Sequence, residues 1–525
     1  MESRGAEAIL RYHESTKHSE WSVRTSRHFL DWANQPLPFK IYRDLEPIPL
    51  VRDFGEKPVP ALEAVARDPA PRAAREGEEQ VPDLAALSRV LQLSAGVTKV
   101  RRHAGGAIAF RAYPNTGALY HVDLYLVAAE LPDLPAGVYH FGPHDAALRR
   151  LRPGDWRGVL VEASGGSPDL AAAPVVVASA STFWRNSWKY RARAWRHCFW
   201  DAGTLHANLL AAAATQELDA RVMLGFADAP VERLLGLDPL REGALVLVPL
   251  GRTTRPPPPA REVPELRLAT EPLSPREMDY PEIRAAHAAS SLASDAEAAA
   301  WRERVRAREP APQEPASAGP LRPLEPLPPA KLPRESLDRL VRRRGSTRAF
   351  DGRRSISFAE LSTALDAATR GVPADFLEPP GATLLELHLI AHAVDGLDPG
   401  AYRYRREARS LELLREGAFR RAAGRLALGQ DLAAEAAANV YSLVDLARVL
   451  ERLGARGYRA AQLEGGIVGG RLYLAAYAQR FGATGLTFFD DEVTDFFSPS
   501  AAGRSVMFLT ALGHPDREAL GLDPR

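Results

Sequence analysis

The sequence predicts two fused copies of one domain, each mixing helices with strands. Three observations support this: landmarks in the two halves recur at one spacing, similar elements recur in the same order around them, and a proline-rich connector lies between. Gly400-Ala401-Tyr402 repeats Gly137-Val138-Tyr139, and Tyr458-Arg459 with Glu464 and Gly466 repeats Trp195-Arg196 with Asp201 and Gly203. Phe489 and Asp491 repeat Phe226 and Asp228, all at an offset of 263 residues. The closing Gly251 and Gly513 lie 262 apart. Unrelated landmarks at one offset mark an internal duplication, and a period this long means fused domains rather than a solenoid. Two such halves are expected to pack as a pseudo-symmetric pair, the one-chain equivalent of a homodimer.

Taken in order, residues 1–83 read as an irregular N-terminal extension, broken by Pro36, Pro38, Pro47, Pro49, Pro58 and Pro60. The ionisable stretch Tyr12–His18 lacks the spacing of a metal pair and is expected to pack at the surface. Residues 84–252 form the first domain. Leu84, Leu87, Val90 and Leu91 predict a helix, Val122–Ala128, Gly137–Phe141 and Pro174–Ala178 predict strands, Trp195–Ala214 a long helix, and Leu245–Leu250 a final strand. Residues 253–335 are a connector whose prolines favour extended backbone, with Ile283–Arg306 as a helical stretch inside it. Residues 336–525 form the second domain, with a helix over Phe358–Ala368.

Composition narrows the function classes. With 525 residues and 46% hydrophobic content the chain can bury real cores. A net charge of +1 points to no nucleic acid and no membrane surface. Cys198, the only cysteine, excludes intramolecular disulfides and cysteine-only metal sites, and its apolar surroundings suggest a core residue. No metal is expected. Neither a secretory signal in Met1–Glu14 nor an apolar run long enough for a bilayer is present, so a cytoplasmic protein is expected.

Two stretches carry candidate chemistry. Arg342–Phe350 reads R-R-R-G-S-T-R-A-F, with four arginines around Ser346. Guanidinium forks and a hydroxyl match the oxygens and charge of a phosphate, and a solvated basic helix start is the other reading. Arg111–His121 reads R-A-Y-P-N-T-G-A-L-Y-H and leads into a strand. Lys189-Tyr190, in W-K-Y-R-A-R, precedes the long helix.

These residues resemble the nitroreductase family, and within it the SagB-type dehydrogenases that include peptide azoline oxidases. The resemblance covers about 84–252 and 336–515. It implies an α+β fold, a mostly antiparallel sheet wrapped by helices, with two fused nitroreductase-like domains forming an intramolecular pseudo-dimer. It also implies FMN in the cleft between the halves. Arg344, Gly345, Ser346, Thr347 and Arg348 match the family's arginine–serine stretch, with glycine replacing the second arginine or histidine. Arg111, Pro114, Asn115, Thr116 and Gly117 match its R-x-x-P-S-x-G loop, with asparagine replacing serine. Arg344 and Ser346 would then lie on the phosphate and ribityl side, and Arg348 near the pyrimidine edge, where a cation stabilises the reduced ring. Thr484 and Gly485, in Gly482–Gly485, resemble the family's turn beside the reactive flavin nitrogen. Tyr120 could stack on the isoalloxazine by the loop's family role, while His121 and His206 receive no role.

Lys189-Tyr190 resembles the Lys–Tyr pair that azoline oxidases use for proton removal. A free tyrosine, with a pKa of about 10, is a poor base at pH 7, and an adjacent ammonium would favour its phenolate. Half two carries Arg452-Leu453 at the matching place.

The duplication predicts one complete site. Aligning Leu361-Ser362 on Leu87-Ser88 sets Ala70–Ala74, with no serine, against Arg344–Arg348, although a slip of one residue would set Arg75 against Arg348. It sets Pro379-Pro380-Gly381-Ala382, shorter and without the Asn, Tyr and His, against the Pro114 loop. The expectation is one FMN per chain and a pseudo-dimer that permits a monomer. The enzyme would be an FMN-dependent oxidoreductase of the SagB dehydrogenase/oxidase type, acting on an azoline-like heterocycle that is a small molecule or peptide-derived. The alternatives are an NAD(P)H-dependent nitro or quinone reductase and a non-catalytic flavin-binding protein.

Overall fold

The computed structural model describes residues 2–67, 78–103, 106–307 and 318–519. Apolar runs bounded by turns form two antiparallel sheets of matching order. The first holds β1 (Pro47–Pro49), β2 (Val122–Ala128), β3 (Gly137–Gly142), β4 (Ala147–Pro153), β5 (Val175–Thr182) and β6 (Glu242–Leu250), in the order β1-β4-β3-β2-β5-β6. The second holds β7 (Leu321–Pro323), β8 (Glu386–Ala391), β9 (Gly400–Arg405), β10 (Ser410–Glu416), β11 (Ala438–Val444), β12 (Gly482–Gly485) and β13 (Ser505–Gly513). Its order is β7-β10-β9-β8-β11-β13-β12, the same path with one strand added. Strands β2, β5 and β6 are buried along their whole length, which is why they read as continuous apolar runs rather than alternating ones.

Helices α1 (Glu2–Ser15), α2 (Leu84–Ala95), α3 (Phe183–Tyr190) and α4 (Ala194–Thr215) belong to half one. Helices α5 (Pro281–Ala289) and α6 (Asp295–Arg306) come from the connector. Half two contributes α7 (Leu337–Arg343), α8 (Phe358–Thr369), α9 (Leu446–Leu453) and α10 (Arg456–Ala478). Local chemistry sets the starts of equivalent helices: Asp83 caps α2 by accepting from Ala86 N, and Ser357 with Glu360 forms a capping box on α8. The expected Ile283–Arg306 helix is two helices, because the chain breaks after Ala289 and restarts where the Ser294 side chain caps Glu297 N.

The halves meet along α4 and α10. Trp195 and Tyr458, one repeat apart, stack with centroids 5.6 Å apart and planes 2° from parallel. A Cβ on Gly203 would sit 2.6 Å from the Gly466 Cα, and one on Gly466 would sit 2.4 Å from the Trp200 carbonyl oxygen. Only glycine permits backbones this close. The repeat landmark Gly203/Gly466 is therefore the crossing point of the pseudo-dimer.

Buried ion pairs are exchanged around this crossing. Arg193 and Arg196 of half one bind Asp490 of half two at 3.0 and 2.6 Å. Arg456 and Arg459 of half two bind Asp228 of half one at 2.8 and 2.7 Å. Phe488 lies under Arg193, and Phe226 under Arg456. This corrects the expected pairing of Asp228 with Asp491 and of Phe226 with Phe489. Ala220 and Ala483 bridge Leu250 and Leu512 and still keep the 263 offset. From Phe226 onward it is 262, so one residue is lost between these points. Asp491 is left on the surface with Lys17.

The N-terminal stretch is also corrected. His13 is buried rather than at the surface, with Nδ1 3.2 Å from Tyr458 Oη. The Arg196 guanidinium donates to the His13 carbonyl and to Thr16 Oγ1. In half two, Arg459 donates to the His287 carbonyl and to Ser290 Oγ. Helices α1 and α5 therefore hold equivalent places, one over each arginine cluster. Their repeat was invisible at an offset of 263, because His13 and His287 lie 274 apart.

These pairs set an acid limit on stability. Burial opposes the ionised form of Asp490, but Arg193 and Arg196 overcome it and hold its pKa well below the usual carboxylate range. Arg456 and Arg459 likewise bring Asp228 to about 2 against burial. Both contribute stability above the unfolded pKa of about 3.9, and that contribution is lost as pH falls through the folded values. Asp490→Asn should cost about 3–5 kcal/mol at pH 7 by urea denaturation. It should also flatten the wild type's loss of stability between about pH 4 and pH 2.

Candidate active site

The loop from half one is built on a carboxylate hub. Asp201, on α4, accepts from Asn115 Nδ2 at 2.9 Å, from Thr116 N at 2.9 Å, from Thr116 Oγ1 at 2.8 Å, and lies 2.8 Å from His121 Nε2. His121 Nδ1 continues to Ser181 Oγ at 2.8 Å. Asn115 Oδ1 accepts from Tyr120 N, and the Pro114 carbonyl accepts from Thr204 Oγ1. These bonds hold Gly117, Ala118 and Tyr120 at positive φ of 66°, 54° and 47°. Two of them are not glycine, a conformation that persists only where its surroundings over-determine it. A Cβ on Gly117 would lie 2.9 Å from Tyr190 Oη, so the loop rests against that phenol.

Arg111 is buried between Phe39 and Tyr120, donates to the Pro38 and Val122 carbonyls, and leaves Nε without a partner. Burial lowers its pKa. Tyr120 is thus taken up by Arg111 and by the edge of Tyr113. His206 bonds the Ala202 carbonyl within its own helix. Cys198 is a core residue, its thiol pushed up to about 12 by burial.

Half two supplies the opposite wall. As the chain leaves α7, Arg344 turns inward and donates Nε to the Ala112 carbonyl at 3.1 Å, Nη2 to the Arg111 carbonyl at 3.2 Å and Nη1 to the Gly345 carbonyl at 2.8 Å. The residue expected beside a phosphate therefore ties the two stretches together across the halves. Ser346 Oγ lies 3.3 Å from Tyr473 Oη, which also accepts the Gly485 N–H. Thr347 N donates to the Ala483 carbonyl at 3.0 Å, and its hydroxyl lies 3.3 Å from Tyr477 Oη. Gly482–Gly485, expected as a turn, is strand β12 paired to β13, with Thr484 buried and Gly485 exposed. Tyr473 and Tyr477 were not anticipated; their spacing of four on α10 was the available signal.

Lys189 and Tyr190 end α3, both half-buried, with Lys189 Nζ 5.4 Å from the Tyr190 ring centroid. Burial raises the Tyr190 pKa, the Asp201 charge raises it further, and Arg348 opposes both. Burial and Arg348 lower the pKa of Lys189. The expected tuning of the phenol by Lys189 is corrected accordingly. The opposing cation is the exposed Arg348 of the other half, and the phenol is held protonated at neutral pH. Gly117 thus meets Tyr190 beside Lys189, Ser346 and Gly485 meet through Tyr473, and the Arg348 charge of half two acts on both Lys189 and Tyr190 of half one.

The second cleft has the same frame with different contents. The first-half counterpart Ala70–Ala74, with Arg75, lies outside the described residues. Glu464 takes the place of Asp201, accepting from Thr383 Oγ1 at 2.5 Å and Leu384 N at 2.9 Å behind the Pro379 loop. Asp375 accepts from the N–H groups of Leu224 and Gly225 at 2.9 and 2.8 Å, and Val222 N donates to the Pro373 carbonyl. Backbone donors on this wall are therefore used by the chain itself. Leu210 and Ala214 stand one repeat from Tyr473 and Tyr477 and bring no hydroxyls. A cavity of about 1300 Å³ remains, lined in part by Leu62, Leu210, Ala214, Leu218, Leu377 and Arg471.

Both halves match the description of one family, the Nitroreductase family, over residues 78–252 and 341–514. The chain belongs to the nitroreductase family. Within that family, it is 30% identical over 168 residues to the trifolitoxin-processing protein TfxB of Rhizobium leguminosarum bv. trifolii, covering 31% of this chain and 45% of that protein. It is 28% identical over 133 residues to the microcin B17-processing protein McbC of Escherichia coli, covering 24% of this chain and 49% of that protein. The match thus spans less than half of either relative. A crystal structure of an Anabaena variabilis protein assigned to the nitroreductases superposes with a TM-score of 0.74 at 27% identity, over 97% of this chain and 99% of that one. This chain therefore shares a whole-chain, two-domain architecture with a solved protein. No helix among the described residues is long and apolar enough to cross a membrane.

Glu464 gives the second cleft a pH signature of opposite sign to the interface aspartates. Burial raises its pKa to about 7, against the Thr383 and Leu384 hydrogen bonds. Its favourable contribution is complete below the unfolded pKa of about 4.3 and is lost as pH rises through 7. Glu464→Gln should match wild type in urea denaturation at pH 4.5 and exceed it by on the order of 2–3 kcal/mol at pH 8.5.

Proposed function

We propose that this nitroreductase-family protein binds one FMN, in the cleft between the Arg344 stretch and the Pro114 loop, and dehydrogenates an azoline-like heterocycle. One observation carries the reading: Tyr190 Oη lies against Gly117 with Lys189 beside it, and the Arg348 charge of the other half acts on the phenol. The residues suit the cofactor. A Cβ on Gly345 would meet nothing nearer than Tyr477 Oη at 3.9 Å, so this backbone is open to a ligand. The Ser346 hydroxyl, the exposed Arg348 guanidinium and the Lys189 amine would be the donors, a set suited to phosphate, hydroxyl and anionic ring edge. Arg344 holds the wall on which these donors stand.

When bound, FMN supplies the acceptor for a hydride. The chain's own part is to receive the substrate's acidic proton. A phenol held neutral accepts a proton only if its own leaves at the same time, and Lys189, whose ammonium form burial and Arg348 disfavour, is the neighbouring group that would take that proton when in its amine form. Asp201 fixes the loop that places Tyr190. The processing roles named for TfxB and McbC support a substrate that is peptide-derived or a small molecule like it.

The same neutral phenol supports a second reading. A protonated Tyr190 suits donation to a quinone or nitro compound reduced at the expense of NAD(P)H.

Purified protein should carry flavin at a ratio near one per chain by absorbance, and a ratio near two would refute the single site. Arg344→Ala should lose most of that flavin. Tyr190→Phe should keep it and slow oxidation of 2-phenylthiazoline by about 10²–10⁴-fold. Full turnover by Tyr190→Phe would remove the proton-transfer role. Anaerobic bleaching by NADPH, faster than by 2-phenylthiazoline, would favour the reductase.

A further inference from the structure

The duplication lets one half be read against the other at the mouth of each cleft. After α1 and α5 the two chains follow the same path. His18 N donates to Asp490 Oδ2 at 2.9 Å, and Leu292 N donates to Asp228 Oδ2 at 3.0 Å. Ser19 and Ser294 then each cap a helix. Beyond that point the halves differ.

In the connector, beside half two, the cap opens α6, a twelve-residue helix with Ala298, Trp301 and Val305 buried. Trp301 Nε1 donates to the Leu453 carbonyl at 2.9 Å, and Arg452 donates to the Val305 carbonyl at 3.0 Å. Arg452 and Leu453 stand one repeat from Lys189 and Tyr190. Helix α6 therefore roofs the positions that correspond to the candidate catalytic pair.

In half one the cap opens a helix of only five residues, Glu20–Arg24, with none buried. The chain then runs on to Asp31, whose carbonyl accepts from Trp188 Nε1 at 3.0 Å, and the Trp32 ring meets Trp188 at 5.4 Å. Leu30 packs in the same small cluster as Tyr190. The segment thus crosses α3 immediately before Lys189-Tyr190 and leaves both half-exposed. It carries three large exposed aromatics, Trp21, Phe29 and Trp32, at 75%, 87% and 67% exposure. Aromatic surface concentrated in so short a stretch, at the edge of a cleft, is characteristic of a binding element.

We propose that Trp21–Trp32 is the substrate lid of the flavin cleft. It folds over Lys189 and Tyr190 when a planar, apolar substrate supplies the surface on which Phe29 and Trp32 close, taking the place that α6 holds permanently over Arg452 and Leu453. This rests on the flavin site proposed above.

The test uses the full chain loaded with FMN and 2-phenylthiazole, a planar probe that cannot be dehydrogenated, with binding followed by the flavin absorbance. Amide hydrogen exchange over residues 22–34 should slow at least tenfold at saturating probe. Phe29→Ala and Trp32→Ala, both at exposed positions, should weaken probe binding at least fivefold with FMN content unchanged. A flavin band that responds to the probe while exchange over 22–34 and the affinity of both variants stay as in wild type overturns the lid alone. A flavin-loaded chain that does not respond overturns the proposed class of ligand. A chain that takes up no FMN refutes the site, and the lid with it.

Discussion

Two aspartates, Asp228 and Asp490, each lie buried between arginines of the opposite half, and the rest of the molecule is arranged around that exchange. A carboxylate withdrawn from water is costly unless its partners are in place, so neither half can bury its own aspartate without the other. The exchange is isologous in pattern, as in a two-fold dimer. It holds α4 and α10 in the register at which Gly203 and Gly466 meet. That crossing sets how far Arg344 must reach to find the Arg111 and Ala112 carbonyls. The candidate site therefore depends on an interface whose chemistry is elsewhere.

The frame is symmetric and the contents are not. Both helices carry an acid at the same place, and each acid fixes a loop: Asp201 the Pro114 loop, Glu464 the Pro379 loop. Asp201 has four donors around it, whereas Glu464 has two and burial raises its pKa to about 7. On the facing wall, hydroxyls of Tyr473 and Tyr477 order one cleft, and Leu210 and Ala214 bring no hydroxyls to the other. Asp375 satisfies backbone donors at Leu224 and Gly225 that would otherwise call for a ligand.

Much of this was legible in the sequence. The 263 spacing follows from the repeated landmarks, and the strands at Val122–Ala128 and Gly137–Phe141 and the long helix from Trp195 follow from local apolar pattern. What escaped depends on three-dimensional neighbours. Asp491 and Asp490 are adjacent acids, and only the lost residue after Ala483 decides which is buried. Helix α1 was hidden because its repeat in α5 stands at a different spacing, with inserted chain between. Lys189 beside Tyr190 suggested a tuned phenolate; Lys189 does stand over the ring, yet burial and the Asp201 charge raise the phenol's pKa, and Arg348, from a distant stretch, opposes them.

Joining the two halves in one chain has a genetic consequence as well as a mechanical one. In a homodimer every substitution is written into both clefts, so a residue that improves one site and harms the other cannot be kept. Here the Arg344–Arg348 stretch and the Pro114 loop each exist beside a second copy that was free to drift. Trp301 could settle over Leu453 without obstructing Tyr190. Fusion thereby leaves the two copies of one surface free to diverge independently.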